Sequence, residues 1–358
     1  MQKRPGEPTA PTPPAPAPAS APVRAAVRAA APVRRAGTVG VGRAHAKTIL
    51  LGEHAVVYGA PALALPVPQL AVTASAGWSA PGPHGAGEVS LTMTGSPSRP
   101  VATQASEGLR RLAAEFRTAM NISRDVHLEV ILDCAIPPGR GLGSSAACAR
   151  AVVLALADLF GRDLGRQLAF DLVQSAENVA HGRASGVDAI AVGARGPLLF
   201  QQGRGEELPI GGEGLFIVAD SGEVGRTKDA VAVLRAGFQQ HPGAQRRFTD
   251  RAAHLTGRGA RALRTGTLER LGPLLTAYHQ LLHDAGLSTP RIDALVRAAL
   301  AAGSLGAKIT GGGLGGCLIA LTPPEQASAV TQQLHAAGAV QTWVLPLKAR
   351  TGHGTPRP

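Results

Sequence analysis

The chain has 358 residues, enough for one large domain or two ordinary ones, with 44% hydrophobic and 17% charged residues to build and solvate a core. Aromatics make up only 3%, so Ala, Val and Leu must fill that core, and a reader that stacks single-stranded bases on rings is argued against. The net charge of +12 is concentrated at the ends, +5 on residues 1–36 and +3 on 346–358, which leaves an ordinary +4 between them and no case for a nucleic-acid face.

Residues 1–36 hold nine prolines in an Ala/Pro/Arg background. Such a segment cannot bury enough apolar surface to offset its chain entropy and is expected to be a disordered tail. Order is expected from about Thr38. Lys47 to Val72 carries short apolar runs broken by Gly and Pro, which predicts successive strands and turns. The Pro/Gly/Ser-rich stretch 79–100 is expected to be a loop, and 107–120 a helix. Leu128, Val130, Leu132 and Cys134 alternate with His127, Glu129, Ile131 and Asp133, the pattern of a half-buried strand. A Pro-Pro-Gly turn and a glycine-rich loop follow, after which Ser144 and Ser145 can cap a helix running to about Phe160. A second helix, 164–180, places Leu168, Leu172 and Val179 on one face, and Gly182–Asp188 leaves it as a loop. Further along, Leu215–Val218 reads as a strand, and Thr227 can cap a helix to about Phe238. Ser288-Thr289-Pro290 opens another helix, which ends at Gly303. Strands at Ala307–Thr310 and Cys317–Leu321 flank Gly311–Gly316. Strands and helices mix without βαβ regularity, so the expected class is α+β in two lobes, 37–208 and 209–346, with a basic tail at 347–358.

No apolar run reaches 18 residues and no secretory apolar region opens the chain, so neither a membrane span nor export is expected. Cys134, Cys148 and Cys317 are scattered and form no CxxC pair, which suits a reducing cytoplasm better than a disulfide framework or a zinc knuckle.

Four segments carry chemistry. In PPGRGLGSSAACARA, 137–151, Gly139, Gly141 and Gly143 let backbone approach a ligand, and the helix start after them offers free N–H groups to an anion. Ser144 or Ser145 can ligate Mg²⁺ on a phosphate. Gly143 stands where a P-loop needs Lys, so a Walker-type fold is disfavoured, and a tight turn with capping serines is the plainer alternative. KITGGGLGGC, 308–317, formally matches G-x-G-x-x-G but runs into a strand, so a flexible loop against a phosphate fits better than a dinucleotide fingerprint. KTILLGEHAVVYG, 47–59, sets a cation, Lys47, and a carboxylate–imidazole pair, Glu53-His54, around a strand; a hairpin with exposed charges is its alternative. AENVAHGRASGVD, 176–188, offers two carboxylates, Glu177 and Asp188, that can divide metal and base work or be solvated acids. His279 and His283 are spaced i, i+4, but Gln280 replaces the Glu of a zinc-protease motif, and a solvated helix face is expected there.

In this order the segments resemble the GHMP kinases over about residues 38–345. PPGRGLGSSAA and KITGGGLGGC resemble the second and third motifs of that family. KTILLGEHAVVYG, AENVAHGRASGVD, GRTKDAVAVL (225–234) and HDAGLSTPRIDALVRAA (283–299) narrow the resemblance to its mevalonate-phosphorylating branch. The resemblance implies a two-lobed α+β kinase whose site lies between lobes, with ATP and mevalonate as substrates and Mg²⁺ as cofactor. The alternatives on the same fold are another small-alcohol kinase, such as one for phosphomevalonate, or a non-catalytic metabolite sensor. The resemblance further implies that Lys47 and the run Pro138, Gly139, Arg140, Gly141, Leu142, Gly143, Ser144 and Ser145 bind ATP. It makes Ser145 and Glu177 the metal ligands and Asp188 the group that deprotonates or orients the hydroxyl, paired with Lys47. Glu53, His54, Thr310, Gly311 and Gly312 fall near the substrate. No nucleic-acid or membrane partner is implied, and a homodimer is compatible with the family. Two positions depart from its usual pattern: Ala46 where Gly is frequent, and Gly312 where Ala is usual.

Overall fold

The computed structural model describes residues 39–79, 89–94, 107–123, 125–182 and 184–347. The expected tails, 1–36 and nearly all of 347–358, lie outside the described residues, as does most of the expected loop 79–100. The first half runs β1 (Val39–Leu51), β2 (Ala62–Trp78), β3 (Val89–Thr94), α1 (Glu107–Met120), β4 (Leu128–Cys134), α2 (Ser144–Leu159), α3 (Arg166–His181), α4 (Val187–Ala191), β5 (Leu198–Gln201) and β6 (Arg204–Glu207). Its sheet has the order β3-β4-β2-β5-β6, with β1 also paired to β2. The second half runs β7 (Gly214–Asp220), α5 (Thr227–Gln240), α6 (Ala244–Thr265), α7 (Leu268–Asp284), α8 (Pro290–Ala301), β8 (Gly306–Thr310), β9 (Cys317–Thr322), α9 (Ala327–Ala336) and β10 (Gln341–Leu347). Its sheet is antiparallel, in the order β10-β7-β9-β8.

A chain poor in aromatic rings fills its interior by bringing backbones together. On β1, a Cβ added to Gly40 would lie 2.2 Å from the Ala155 carbonyl oxygen, and one added to Gly42 would lie 2.0 Å from that of Ala151. The alanine-rich helix α2 therefore rests directly on the strand, with no side-chain layer between them. β2 is continuous through Pro66 and Pro68, where the sequence pattern suggests a break. The ladder slips at that place: His45 pairs with Ala71 but Ala46 with Val67, so β2 bulges beside its prolines. The Lys47 N–H, opposite Pro66, donates instead to the Leu142 carbonyl at 3.0 Å.

β4 alternates as its sequence predicts, with Leu128, Val130, Leu132 and Cys134 buried. Several local expectations are corrected. β3 forms inside the stretch read as a loop, because β4 offers it a parallel partner. α2 is capped by the backbone of Gly143 in the left-handed region (φ 73°), not by a serine hydroxyl. Thr227 is the first residue of α5, with Arg226 as its cap. Val179 is 38% exposed, since the buried face of α3 ends before it. Thr289 does cap α8, accepting the Ile292 N–H.

Candidate active site

The loop between β4 and α2 has positive φ at Gly139, Gly141 and Gly143, a conformation that glycine adopts without a Cβ clash. The side chain of Lys47 lies across this loop: a Cβ on Gly143 would be 2.9 Å from Lys47 Cε. Lys47 is 3% exposed. Its Nζ donates to the Gly141 carbonyl at 3.2 Å and pairs with Asp188 Oδ1 at 3.1 Å. Asp188 is not in a loop, as the sequence suggests, but in the first turn of α4, entered through Gly186 at φ 93°. Its carboxylate remains 34% exposed and faces the open side of the cleft.

Glu177, near the end of α3, is buried and hydrogen-bonded to the Ser145 hydroxyl. Burial, reinforced by the charge of Asp188, pushes its pKa up to about 7. A hydroxyl and a carboxylate meeting at a helix start beside a glycine loop form a hard-oxygen donor pair, suited to a divalent ion that takes its other ligands from phosphate and water. Among the described residues no group of three His, Cys, Asp or Glu gathers into a self-sufficient metal centre.

The second glycine loop, Gly311–Gly316, touches the first. A Cβ on Gly311 would sit 2.7 Å from the Gly141 Cα, so the two backbones meet without side chains between them. The segment after β7 ties both together, with Gly225 N–H donating to Gly139 O at 2.8 Å and Arg226 N–H to Gly313 O at 3.1 Å. Of the site residues that the resemblance implies, all but Pro138, Arg140, Leu142 and Thr310 line one cleft of about 770 Å³. Leu142 is buried, and Arg140 pairs with Asp220 at 2.9 Å. Thr310 lies against the glycine loop, a Cβ on Gly141 being 3.1 Å from its carbonyl oxygen, while its hydroxyl meets Thr48 Oγ1 at 2.8 Å and the Ile49 N–H at 2.9 Å and so pins β8 to β1.

At the far end of the cleft, Glu53 is buried and ion-paired with the fully buried Lys308 of β8. Burial pushes the Glu53 carboxyl up and the Lys308 ammonium down, and each charge opposes that shift in the other. The Lys308 Nζ lies 5.4 Å from the centre of the Tyr278 ring, whose hydroxyl donates to Glu53 O at 3.0 Å. His54 holds φ 61°, and its Nε2 is buried without a hydrogen-bond partner among the described residues. Burial lowers its pKa to about 4, so a neutral imidazole borders the cleft.

Sequence reasoning missed the role of Lys308, which lies next to a recognised glycine loop but reveals its partner, 255 positions away, only when folded. It also missed Arg226, Lys228 and Arg235, cations at the cap, in the first turn and in the middle of α5 that border the cleft. The signal for Arg226 and Lys228 lies in the segment GRTKDAVAVL, and Arg235 directly follows it. The expected solvated face at His279 is wrong. His279 is buried, with Nδ1 accepting from the Ile309 N–H at 3.4 Å and Nε2 3.3 Å from Asp293.

Two family models match the chain: GHMP kinases N terminal domain over residues 107–196 and GHMP kinases C terminal over 260–340. The mevalonate kinase of Pyrococcus horikoshii is 32% identical over 303 residues, covering 80% of this chain and 90% of that one. The mevalonate kinase of Aeropyrum pernix is 34% identical over 287 residues, covering 77% and 86%. Among solved structures, L. major mevalonate kinase in complex with R-mevalonate superposes with a TM-score of 0.74 at 24% identity, covering 87% of this chain and 97% of that one, a likeness of fold.

Proposed function

The chain belongs to the mevalonate kinases of the GHMP kinase family, and from that membership we propose that it transfers the terminal phosphoryl group of ATP to the primary hydroxyl of mevalonate, giving 5-phosphomevalonate and ADP. The observation that carries the reading is the Lys47–Asp188 pair, 3.1 Å apart, set beside the Gly139–Gly143 loop and open to the cleft. In the proposed reaction the substrate hydroxyl oxygen forms a bond to the terminal phosphorus as the bond from that phosphorus to ADP breaks. The hydroxyl proton passes to the Asp188 carboxylate. Lys47 holds Asp188 in place and meets charge on the transferred group. Backbone amides from Gly139 to Ser145, at the start of α2, take the phosphate oxygens. Mg²⁺ would be held by the Ser145 hydroxyl and the Glu177 carboxylate; when bound it neutralises phosphate charge. Glu53 Oε2 and His54, polar atoms without partners among the described residues, are proposed to receive the polar end of mevalonate.

Catalysis by such a set is positioning and charge neutralisation, since a loose phosphoryl-transfer transition state asks for little covalent help. No described helix is long and apolar enough to cross a membrane, and the three free cysteines are buried, which supports a cytoplasmic enzyme. The test is ADP release by purified protein with mevalonate against phosphomevalonate and a panel of small alcohols. Mevalonate should give the highest kcat/KM. A higher value for phosphomevalonate would reassign the substrate.

A further inference from the structure

Two residues before Lys47 on β1, a second cavity of about 400 Å³ opens at the place where the β1–β2 ladder slips. Arg43 and His45 of β1, Arg150 of α2 and Arg195 beyond α4 line it, with Pro66 and Pro68 as an apolar wall. Among the described residues none of the three guanidinium groups has a carboxylate partner or a hydrogen-bond acceptor. The nearby Glu207 accepts the backbone N–H of Arg195 at 2.7 Å.

Arg150 is the centre of the arrangement. A Cβ on Gly193 would lie 2.2 Å from Arg150 Nε and 2.3 Å from Cζ, so the guanidinium lies flat on a backbone that only glycine leaves bare. Burial lowers the pKa of Arg150, with no opposite charge among the causes. A half-buried cation held in place without a counter-charge is unusual, because desolvating it costs free energy that a partner normally offsets. His45 is a fixed wall: its two ring nitrogens lie 2.8 Å from Ala46 O and 2.9 Å from Ala194 O. The lining has no hydroxyl, thiol, lysine or carboxylate side chain, and both ring nitrogens of His45 are engaged by backbone carbonyls, so the pocket is built to bind and not to react.

We propose that this pocket is a second anion site, separate from the nucleotide cleft, which takes a small phosphate-bearing molecule. Arg presents forked donors that match phosphate oxygens, and a phosphate group carries close to two charges near neutral pH. A single carboxylate would leave most of the positive charge unmatched. The site shares β1, α2 and α4 with the cleft, the elements that carry Lys47, Ser145 and Asp188.

The experiment is a calorimetric titration of the full-length protein with inorganic pyrophosphate, and in a second arm with inorganic phosphate. The cleft is first saturated with mevalonate and a non-hydrolysable ATP analogue. One further equivalent of pyrophosphate should bind, and Arg150→Gln should weaken it by about tenfold or more. Tighter binding of pyrophosphate than of phosphate would assign a diphosphate ligand, and the reverse a monophosphate. Arg43→Gln, at an exposed strand position, gives the same reading if Arg150→Gln does not fold. Because both residues lie outside the cleft, their variants report on the pocket even if the analogue fails to bind, which would count against the proposed function alone. No binding of either anion, or binding that neither variant weakens, overturns the proposal.

Discussion

Asp188 owes its position to two local facts: Gly186 turns the chain through a left-handed residue, and Lys47 holds the carboxylate at 3.1 Å. Asp188→Asn keeps the volume but cannot accept a proton. General-base help is worth about 10²–10⁴-fold, or roughly 3–5 kcal/mol of barrier. The variant should lose at least about 100-fold in kcat. Its melting temperature should move little, because the amide oxygen that replaces the carboxylate can still accept from the Lys47 ammonium, which also keeps its bond to the Gly141 carbonyl. A variant retaining more than about a tenth of wild-type kcat, a barrier change of only ~1.4 kcal/mol, would make Asp188 a structural acid. Gly312 gives a second residue-scale prediction. A Cβ there would lie 1.9 Å from Thr227 Oγ1 and 2.8 Å from its Cβ, so the hydroxyl of Thr227 occupies the space that the family's usual alanine would take. Gly312→Ala alone should cost about 1–3 kcal/mol from overpacking, read as a lowered denaturation midpoint. Adding Thr227→Ser, which removes a methyl and frees the rotamer, should recover part of it; no loss in the single variant would show that Thr227 turns away freely.

At the scale of elements, His279 of α7 joins α8 through Asp293 and β8 through the Ile309 amide. Because Nδ1 accepts that N–H, the ring is neutral, and burial lowers its pKa to about 4. The unfolded chain takes up this proton near pH 6.5, the folded chain not until about pH 4. Stability from His279 is therefore full above pH 6.5 and lost as the pH falls toward 4. At pH 5 the loss from this group should reach about 2 kcal/mol. His279→Gln should flatten that part of the acid limb in denaturant titrations at pH 7.5 and 5, whereas an unchanged slope would mean that the ring is charged in the native state. β4 and α8 were legible because each follows a single period and, in α8, a capping signal. β3 was not, since its pattern is settled by the partner strand.

For the molecule as a whole, the buried core runs without interruption from residues of β1 to residues of β10, so the two sheets share one interior. Buried polar links cross it as well, among them Thr310 to Thr48 and Ile49, and Lys308 to Glu53. Lys308→Met removes one partner of a fully buried pair and leaves Glu53 with an uncompensated charge. The expected cost is about 3–5 kcal/mol. The double variant Lys308→Met/Glu53→Gln should be more stable than Lys308→Met, as measured by urea denaturation. If the single variant unfolds at the wild-type midpoint, the pair does not join the halves.

The chemical parts and their order along the chain are already present in the sequence: the glycine loops, Lys47, the serines, Glu177 and Asp188. Those features are local, since a loop needs its glycines and a helix start its free amides whatever surrounds them. Which of those parts share a cleft follows from the packing of the folded chain. That packing bonds the Thr310 hydroxyl to β1, sets Lys308 against Glu53 and leaves Arg150 facing a separate pocket. Partners so distant along the chain leave no periodic trace, because their meeting depends on how two sheets pack and which charges that packing removes from water.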